Sequence, residues 1–262
     1  MKPLAVDIFC GLGGWSEGLI AEGWNVVGFD IERHVYGEHR YPAQLVLQDV
    51  LTIHGLQFKD AQLIVASPPC QAYSYRAMPW SRAKALPPPD NSLFDACFRI
   101  QREACEAAGR HIPMVVENVR GAQKWVGRAK WNFGSFYLWG DVPALMPVPR
   151  SRETRKKPKD GSGNQLCVVR TDQIDRDDGI KVTGIAMQRN GHEHTRHLTN
   201  QAEHEGVKNG GDWFNSSQPS SARSCLSKSN ARKAASAQIA KIPIVLARWI
   251  ASAYFPHDEQ TS

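Results

Sequence analysis

The chain predicts an α/β fold, a doubly wound and mostly parallel sheet with a small polar lobe inserted near its end. Three observations predict it. Short apolar runs at residues 4–9, 24–29, 44–47, 63–66 and 112–116 have strand length, and helical spacing recurs between them. A glycine-rich turn, CGLGG at 10–14, joins the first run to a helix with Leu12, Trp15, Leu19 and Ile20 on one face. From residue 140 to about 232 the composition becomes polar and rich in glycine and serine, and then helical spacing returns at Ile239, Ile242, Leu246, Trp249, Ile250 and Ala253. Strands alternating with helices pair in parallel, because each crossover returns the chain to the same end of the sheet.

Taken in order, the first strand is interrupted only by Asp7, and Gly23 closes the helix that follows. The second strand ends in Asp30-Ile31-Glu32, so the opening thirty-two residues read strand, glycine turn, helix, strand, acid. That is the first half of a nucleotide-type α/β unit. A short helix is expected over 33–40, stopped by Pro42, and the third strand ends in Gln48-Asp49-Val50. After the fourth strand two prolines fix the backbone, and Cys70 falls on the loop beyond the strand end, where open α/β sheets bind ligands. Residues 73–90 carry proline, arginine and aromatics without a period, a length that usually signals a functional loop. Asn91 or Ser92 then caps a helix with Leu93, Cys97, Ile100, Ala104 and Ala108 on one stripe. The fifth strand runs into Glu117-Asn118-Val119, residues 133–139 form a sixth, and Pro243 either kinks the last helix or opens a second one.

Composition bounds the classes of function. Hydrophobic content of 42% and charge of 22% are those of an ordinary soluble protein. No apolar run approaches the roughly 20 residues of a membrane span, and the start lacks a signal peptide's apolar stretch, so a cytoplasmic location is expected. The six cysteines include no CxxC pair, and a cytosolic compartment disfavours disulfides. His192, His194, His197 and His204 have only the distant Cys167 and Cys225 as cysteine partners and are read as surface histidines, so no metal is expected. A net charge of +6 and a pI near 9.0 suit an anionic partner. The excess gathers at Arg150, Arg152, Arg155, Lys156, Lys157 and Lys159, and again at Arg223, Lys228, Arg232 and Lys233.

Chemistry concentrates in a few motifs. A lone cysteine is most often a small buried hydrophobe, yet SPPCQ at 67–71 is turn sequence, which holds a thiol at a strand end. Gly11, Gly13 and Gly14 let a ligand approach the backbone, and no Walker lysine follows them. Asp30 and Asp49 would each pass singly for a solvated carboxylate. Placed after successive strands beyond a glycine turn, they suit a nucleoside with ribose hydroxyls and an exocyclic amine.

DIFCGLGGWS, Asp30 to Glu32, Gln48 to Val50, SPPCQAYS and ENVRG stand in the order of the DNA cytosine-5 methyltransferase family, which this chain resembles. IPIVLA at 242–247 is similar to that family's last motif. The resemblance implies a Rossmann-like class I methyltransferase that uses S-adenosyl-L-methionine, releases S-adenosyl-L-homocysteine and needs no metal. It implies that Phe9, Gly11 and Gly13 line the cofactor's methionyl and adenine region, that Asp30 holds the ribose with Ile31 against the adenine, and that Asp49 and Val50 meet the adenine edge. Cys70 would be the nucleophile toward cytosine C6, and Glu117 would hold N3 and the exocyclic amine. Gln71, Ser74 and Arg76 would contact double-stranded DNA. Residues 1–140 would form the cofactor-binding and catalytic domain, 141–231 the target-recognition region, and 232–262 a helix returning to the catalytic domain. A monomer is expected, in a prophage or restriction-modification setting that allows a cognate restriction endonuclease as a partner.

Three departures accompany the resemblance. Ser67 stands where the family usually has glycine, Ile239-Ala240 replace a usual Gly-Asn, and the family's arginine motif is represented only by residues 127–130, with Arg128 the candidate for the cytosine O2 contact. An RNA cytosine-5 methyltransferase and a catalytically impaired DNA-binding protein stay open as alternatives. An amino-group methyltransferase is disfavoured, because its loop carries an aromatic where Cys70 stands.

Overall fold

A strand covered on both faces is largely apolar, and Leu63–Ala66 and Met114–Asn118 are buried at every position, the second ending in Glu117 and Asn118 where it reaches the sheet's carboxyl edge. These are β6 and β7 of a seven-stranded sheet in a computed structural model that describes residues 2–74, 87–147 and 241–256, with Lys233, Ala237 and Ala240. The strand order is β5-β2-β1-β6-β7-β9-β8. β1 (Leu4–Ile8), β2 (Asn25–Asp30), β5 (Gln44–Leu47), β6 and β7 run parallel, and β8 (Trp131–Phe133) with β9 (Phe136–Gly140) adds an antiparallel hairpin at one edge. The chain leaves β1 toward β2 and β5 on one side, then crosses to β6 and β7 on the other. The carboxyl ends of β1 and β6 therefore flank the switch point at which such sheets open a ligand crevice.

Helices cover both faces. α1 (Gly14–Ala21) and α4 (Ile244–Ala253) pack on one, where Trp15, Leu19, Trp24, Leu246 and Ile250 join Ala5, Leu63 and Val65 in one core. The two helices approach so closely that a Cβ on Gly18 would stand 2.4 Å from that of Ala247. α2 (Ser92–Ala108) covers the other face, with Phe94, Cys97, Ile100 and Ala104 against Phe29, Phe58 and Ile64. A short α3 (Gln123–Val126) follows β7.

Two expected elements are different in the structure. Residues 33–40 are not helical but contain a hairpin of β3 (Val35–Tyr36) and β4 (His39–Arg40). Gly37 takes φ 62° in its two-residue loop, the positive φ that tight hairpins require. The single strand expected over 133–139 is instead the β8–β9 hairpin, folded at Gly134 with φ 58°. Asn91 occupies the N-cap position of α2 without capping it. Its side chain instead accepts from the Tyr73 hydroxyl and donates to the Trp125 carbonyl, while Asp90 accepts from the Ser92 N–H. Pro243 is the N-cap of α4, so it opens a separate helix. The lobe expected over 141–231 lies, beyond Pro147, outside the described residues, as do the basic clusters apart from Lys233, the histidines at 192–204, Arg76, Ile239, Cys167 and Cys225.

Candidate active-site cleft

A cleft of about 390 Å³ opens at the carboxyl ends of the parallel strands. Five chain segments meet there because five parallel strands end on the same side. β1 contributes Phe9 to Gly11, β2 Asp30 and Ile31, β5 Asp49 and Val50, β6 Ser67 to Gln71, and β7 Glu117. Ala240 to Ile242, just ahead of α4, close one wall.

The turn after β1 is tightly determined. Phe9 has φ 59°, the one non-glycine residue with positive φ among those described, and Gly11 and Gly13 follow at 51° and 80°. The three glycines differ in their surroundings. A Cβ on Gly11 would meet nothing within 4 Å, so the cleft reaches its backbone. Gly13, the N-cap of α1, does not line the cleft; its Cβ would collide with the Pro42 ring at 2.4 Å. Gly14 lines the cleft and lets Ile242 approach, since a Cβ there would stand 2.4 Å from the Ile242 nitrogen.

Asp30 is the hub of the cleft's other end. Its Oδ2 accepts the Gly11 N–H at 2.9 Å, its Oδ1 accepts the Glu32 N–H at 3.3 Å, and His34 Nε2 lies 3.5 Å from Oδ1. Burial pushes this carboxyl up, but the bonds from His34, Gly11 and Glu32 and the charge of His34 outweigh it, and the net shift is downward. The same bond raises His34 against its own desolvation. Ile31 is 71% exposed at the rim, an apolar surface with open space above it. Asp49 caps the turn at Val50–Thr52 by accepting the Leu51 N–H at 3.0 Å, which fixes Val50 beneath the cleft.

On the β6 side, Cys70 is half-buried and starts a turn in which its carbonyl accepts the Tyr73 N–H at 3.0 Å. Tyr73 anchors that turn in the core at 3% exposure. Glu117, equally buried, stands at the end of the adjacent strand and faces the same cleft. Asn118, next to it, donates to the Pro68 carbonyl.

Of the sequence-derived candidates, Phe9, Gly11, Asp30, Ile31, Asp49, Val50, Cys70, Gln71 and Glu117 share this one cleft. Gly13, Ser74 and Arg128 do not line it, and Arg128 is exposed on the stretch between α3 and β8. Sequence reasoning missed His34, Asn118 and Lys241. A histidine four residues after an acid was the available signal for the first, and the Asn after Glu117 was legible only as part of a motif. Lys241 is brought to the cleft by the docking of α4, which no local pattern announces.

The sequence profile of the family described as C-5 cytosine-specific DNA methylase matches residues 4–125. No curated protein gives a significant match. Solved structures do. A prophage-encoded E. coli protein assigned as a DNA modification methyltransferase is 24% identical, with TM-score 0.34, over 48% of this chain and 34% of that one. The S. pombe Dnmt2 methyltransferase is 16% identical, with TM-score 0.32, over 47% and 36%. The Entamoeba histolytica methyltransferase EhMeth is 15% identical, with TM-score 0.37, over 59% and 58%. The match thus spans from about a third to under two thirds of those proteins' own length.

Proposed function

We propose, from the match of residues 4–125 to the C-5 cytosine-specific DNA methylase family, that the protein methylates C5 of cytosine in double-stranded DNA. The observation that carries this reading is the sharing of one cleft by Cys70, Glu117, Asp30 and the open backbone at Gly11. A thiol and a buried carboxyl on adjacent strand ends face a pocket whose far end has an acid and an apolar rim.

That donor set fits S-adenosyl-L-methionine. Asp30 would hold the ribose hydroxyls, Ile31 would lie against the adenine with Asp49 and Val50 at its edge, and Phe9 and Gly11 would line the methionyl and adenine region. When bound, the sulfonium supplies an electrophilic methyl group. The chain's own residues prepare the acceptor. Cytosine C5 is a poor nucleophile, so the Cys70 thiolate adds at C6 and places electron density on C5. Glu117 hydrogen-bonds N3 and the exocyclic amine, stabilising the negative charge that develops there. Loss of the C5 proton to a base then allows the Cys70–C6 bond to break. A cytosine can reach Cys70 only when flipped out of the duplex, at a cost of a few kcal/mol met by contacts to DNA. Gln71 at the cleft mouth, Ser74 three residues on, and Arg76, from its sequence position alone, are the residues proposed for those contacts, and Arg128 is kept as the candidate for cytosine O2. A cytoplasmic monomer is the form proposed.

The test is bisulfite sequencing of DNA from a methylation-free host that expresses the chain. Protected cytosines at a fixed sequence are expected; uniformly converted DNA, or methylation confined to ribonuclease-sensitive material, would overturn the reading.

A further inference from the structure

Ser67 sits at the switch point itself. Its N–H donates to the Ile8 carbonyl at 3.2 Å, joining the ends of β1 and β6, and its Oγ accepts the indole N–H of Trp15 at 3.0 Å. Trp15 is 2% exposed in the first turn of α1, so the indole and the hydroxyl oxygen are held in fixed relation. A serine hydroxyl has one hydrogen to donate besides the lone pairs that accept. With Trp15 occupying a lone pair, the hydrogen of Ser67 turns elsewhere, and among the described residues no acceptor receives it. Ser67 lines the cleft. Its placement leaves an oriented donor facing ligand space.

The order of strands says which part of a ligand lies there. Asp30, Ile31 and Asp49 follow β2 and β5, on one side of β1; Cys70 follows β6, on the other. A nucleoside at the first group and a methyl acceptor at Cys70 require the sulfur between them, toward β6. The amino-acid arm, the sulfur's remaining substituent, then lies along the turn after β1 and the start of α1, beside Ser67 and Trp15. That arm ends in a carboxylate, which accepts hydrogen bonds, and an ammonium, which does not.

We propose that Ser67 is a cofactor-binding residue whose hydroxyl, oriented by the Trp15 indole, donates to the carboxylate of the cofactor's amino-acid arm. The inference rests on the methyltransferase reading above. A glycine at this position could offer no such donor, so the contact would be a feature of this chain rather than of the motif around it.

Calorimetric titration separates the possibilities with two ligands, S-adenosylhomocysteine and its decarboxylated analogue S-adenosyl-3-thiopropylamine, against the wild type, Ser67→Ala and Ser67→Gly. A hydrogen bond to a charged group is lost in both variants, so S-adenosylhomocysteine is expected to bind about tenfold or more weakly. The analogue, which lacks the carboxylate, is expected to bind all three proteins within about twofold, since no charge-assisted bond is removed. Equal weakening of both ligands would make Ser67 a structural tie for Trp15 and overturn the proposal. Unchanged binding of S-adenosylhomocysteine would overturn it too. Failure of the wild type to bind S-adenosylhomocysteine at all would instead overturn the methyltransferase reading, and this inference with it.

Discussion

The side-chain amide of Asn118 donates to the carbonyl of Pro68 at 2.9 Å, and its Oδ1 accepts the N–H of Val119 at 2.8 Å. Asn118 is 1% exposed, and its bond to Pro68 forms away from water. One buried side chain thus fixes the end of β7, where Glu117 stands, to the proline pair that presents Cys70. Asn118→Ala would leave the Pro68 carbonyl buried without its donor, at a cost of about 1–3 kcal/mol. Cys70 and Glu117 would lose their fixed spacing, while the Asp30 end of the cleft would keep its contacts. Single-turnover methylation is therefore expected to slow by about tenfold or more, a positioning effect of the size small displacements produce. Affinity for S-adenosylhomocysteine should change far less. Asn118→Asp should behave like alanine, because a carboxylate cannot donate. Equal losses in rate and affinity would show that the bond supports the whole cleft rather than the spacing of two groups.

Cys70→Ala should abolish methyl transfer and leave cofactor binding largely intact, because the thiol is proposed to attack the base. A duplex containing 5-fluorocytosine should trap the wild type as a denaturation-resistant complex, since the fluorine cannot leave as a proton. The alanine variant should form none. Appreciable turnover by Cys70→Ala would remove the thiol from the mechanism.

How far these groups were legible in the sequence follows from what each depends on. β5 and β6 occupy residues 44–47 and 63–66 as the apolar runs predict, since a short β-rich run offers little else. Cys70, Glu117, Asp30 and Asp49 could be found because a strand end is a local signal and all five parallel strands end together. Residues 33–40 misled because their polar residues tolerate a helix, whereas one glycine at 37 settles the hairpin. Residues 133–139 misled for the same reason at Gly134. Tyr73 looked like a loop aromatic and is a core anchor held by Asn91, a partner eighteen residues away. Ser67 was visible as a departure, but its role depends on Trp15, fifty-two residues distant.

Asp30→Ala should weaken cofactor binding, because bonds from ribose hydroxyls to a carboxylate are worth about 1.5–3 kcal/mol each at best. The loss should exceed that of removing ribose contacts alone, since the same carboxylate also accepts the Gly11 N–H and orders the turn. The Asp30–His34 contact adds a pH dependence. His34 is raised above its ordinary 6.5, so its contribution is complete below that value and is lost as pH climbs through the folded one. Asp30 is lowered below 3.8, so its contribution is present above that value and is lost as pH falls through the folded one. Thermal stability should therefore decline on the alkaline side of 6.5 by an amount that His34→Gln removes. Glu32, Tyr36 and Lys233 are the other titratable groups near His34, and substituting them should shift that limb without abolishing it. A His34→Gln profile parallel to the wild type would exclude the pair as its source.

Asp7 carries the last prediction. Inside β1 it is 1% exposed; its Oδ2 accepts from Ser16 Oγ at 2.6 Å, and Ser16 shares a 2.7 Å bond with the Tyr41 hydroxyl. Tyr41 packs against β2, so close that a Cβ on Gly28 would meet its ring at 2.3 Å. Among the described residues nothing bonds the carboxyl's Oδ1. Burial pushes this acid up to about 7, against the Ser16 bond that lowers it and with the charge of Asp30 that raises it further. Folded Asp7 therefore keeps its proton at pH values where the unfolded chain, ordinary at 3.8, has lost it. The folded state binds the extra proton, so this group's effect on stability falls steadily between about pH 4 and 7 and is constant outside that window. The full effect is on the order of 4 kcal/mol. Asp7→Asn cannot ionise, so whatever its stability at pH 4.5, it should gain on the wild type as pH rises to 8. Denaturant melts of both proteins at the two pH values measure the gain. A constant difference between them would mean that Asp7 ionises at an ordinary pH and that Ser16 and Tyr41 stabilise its charge.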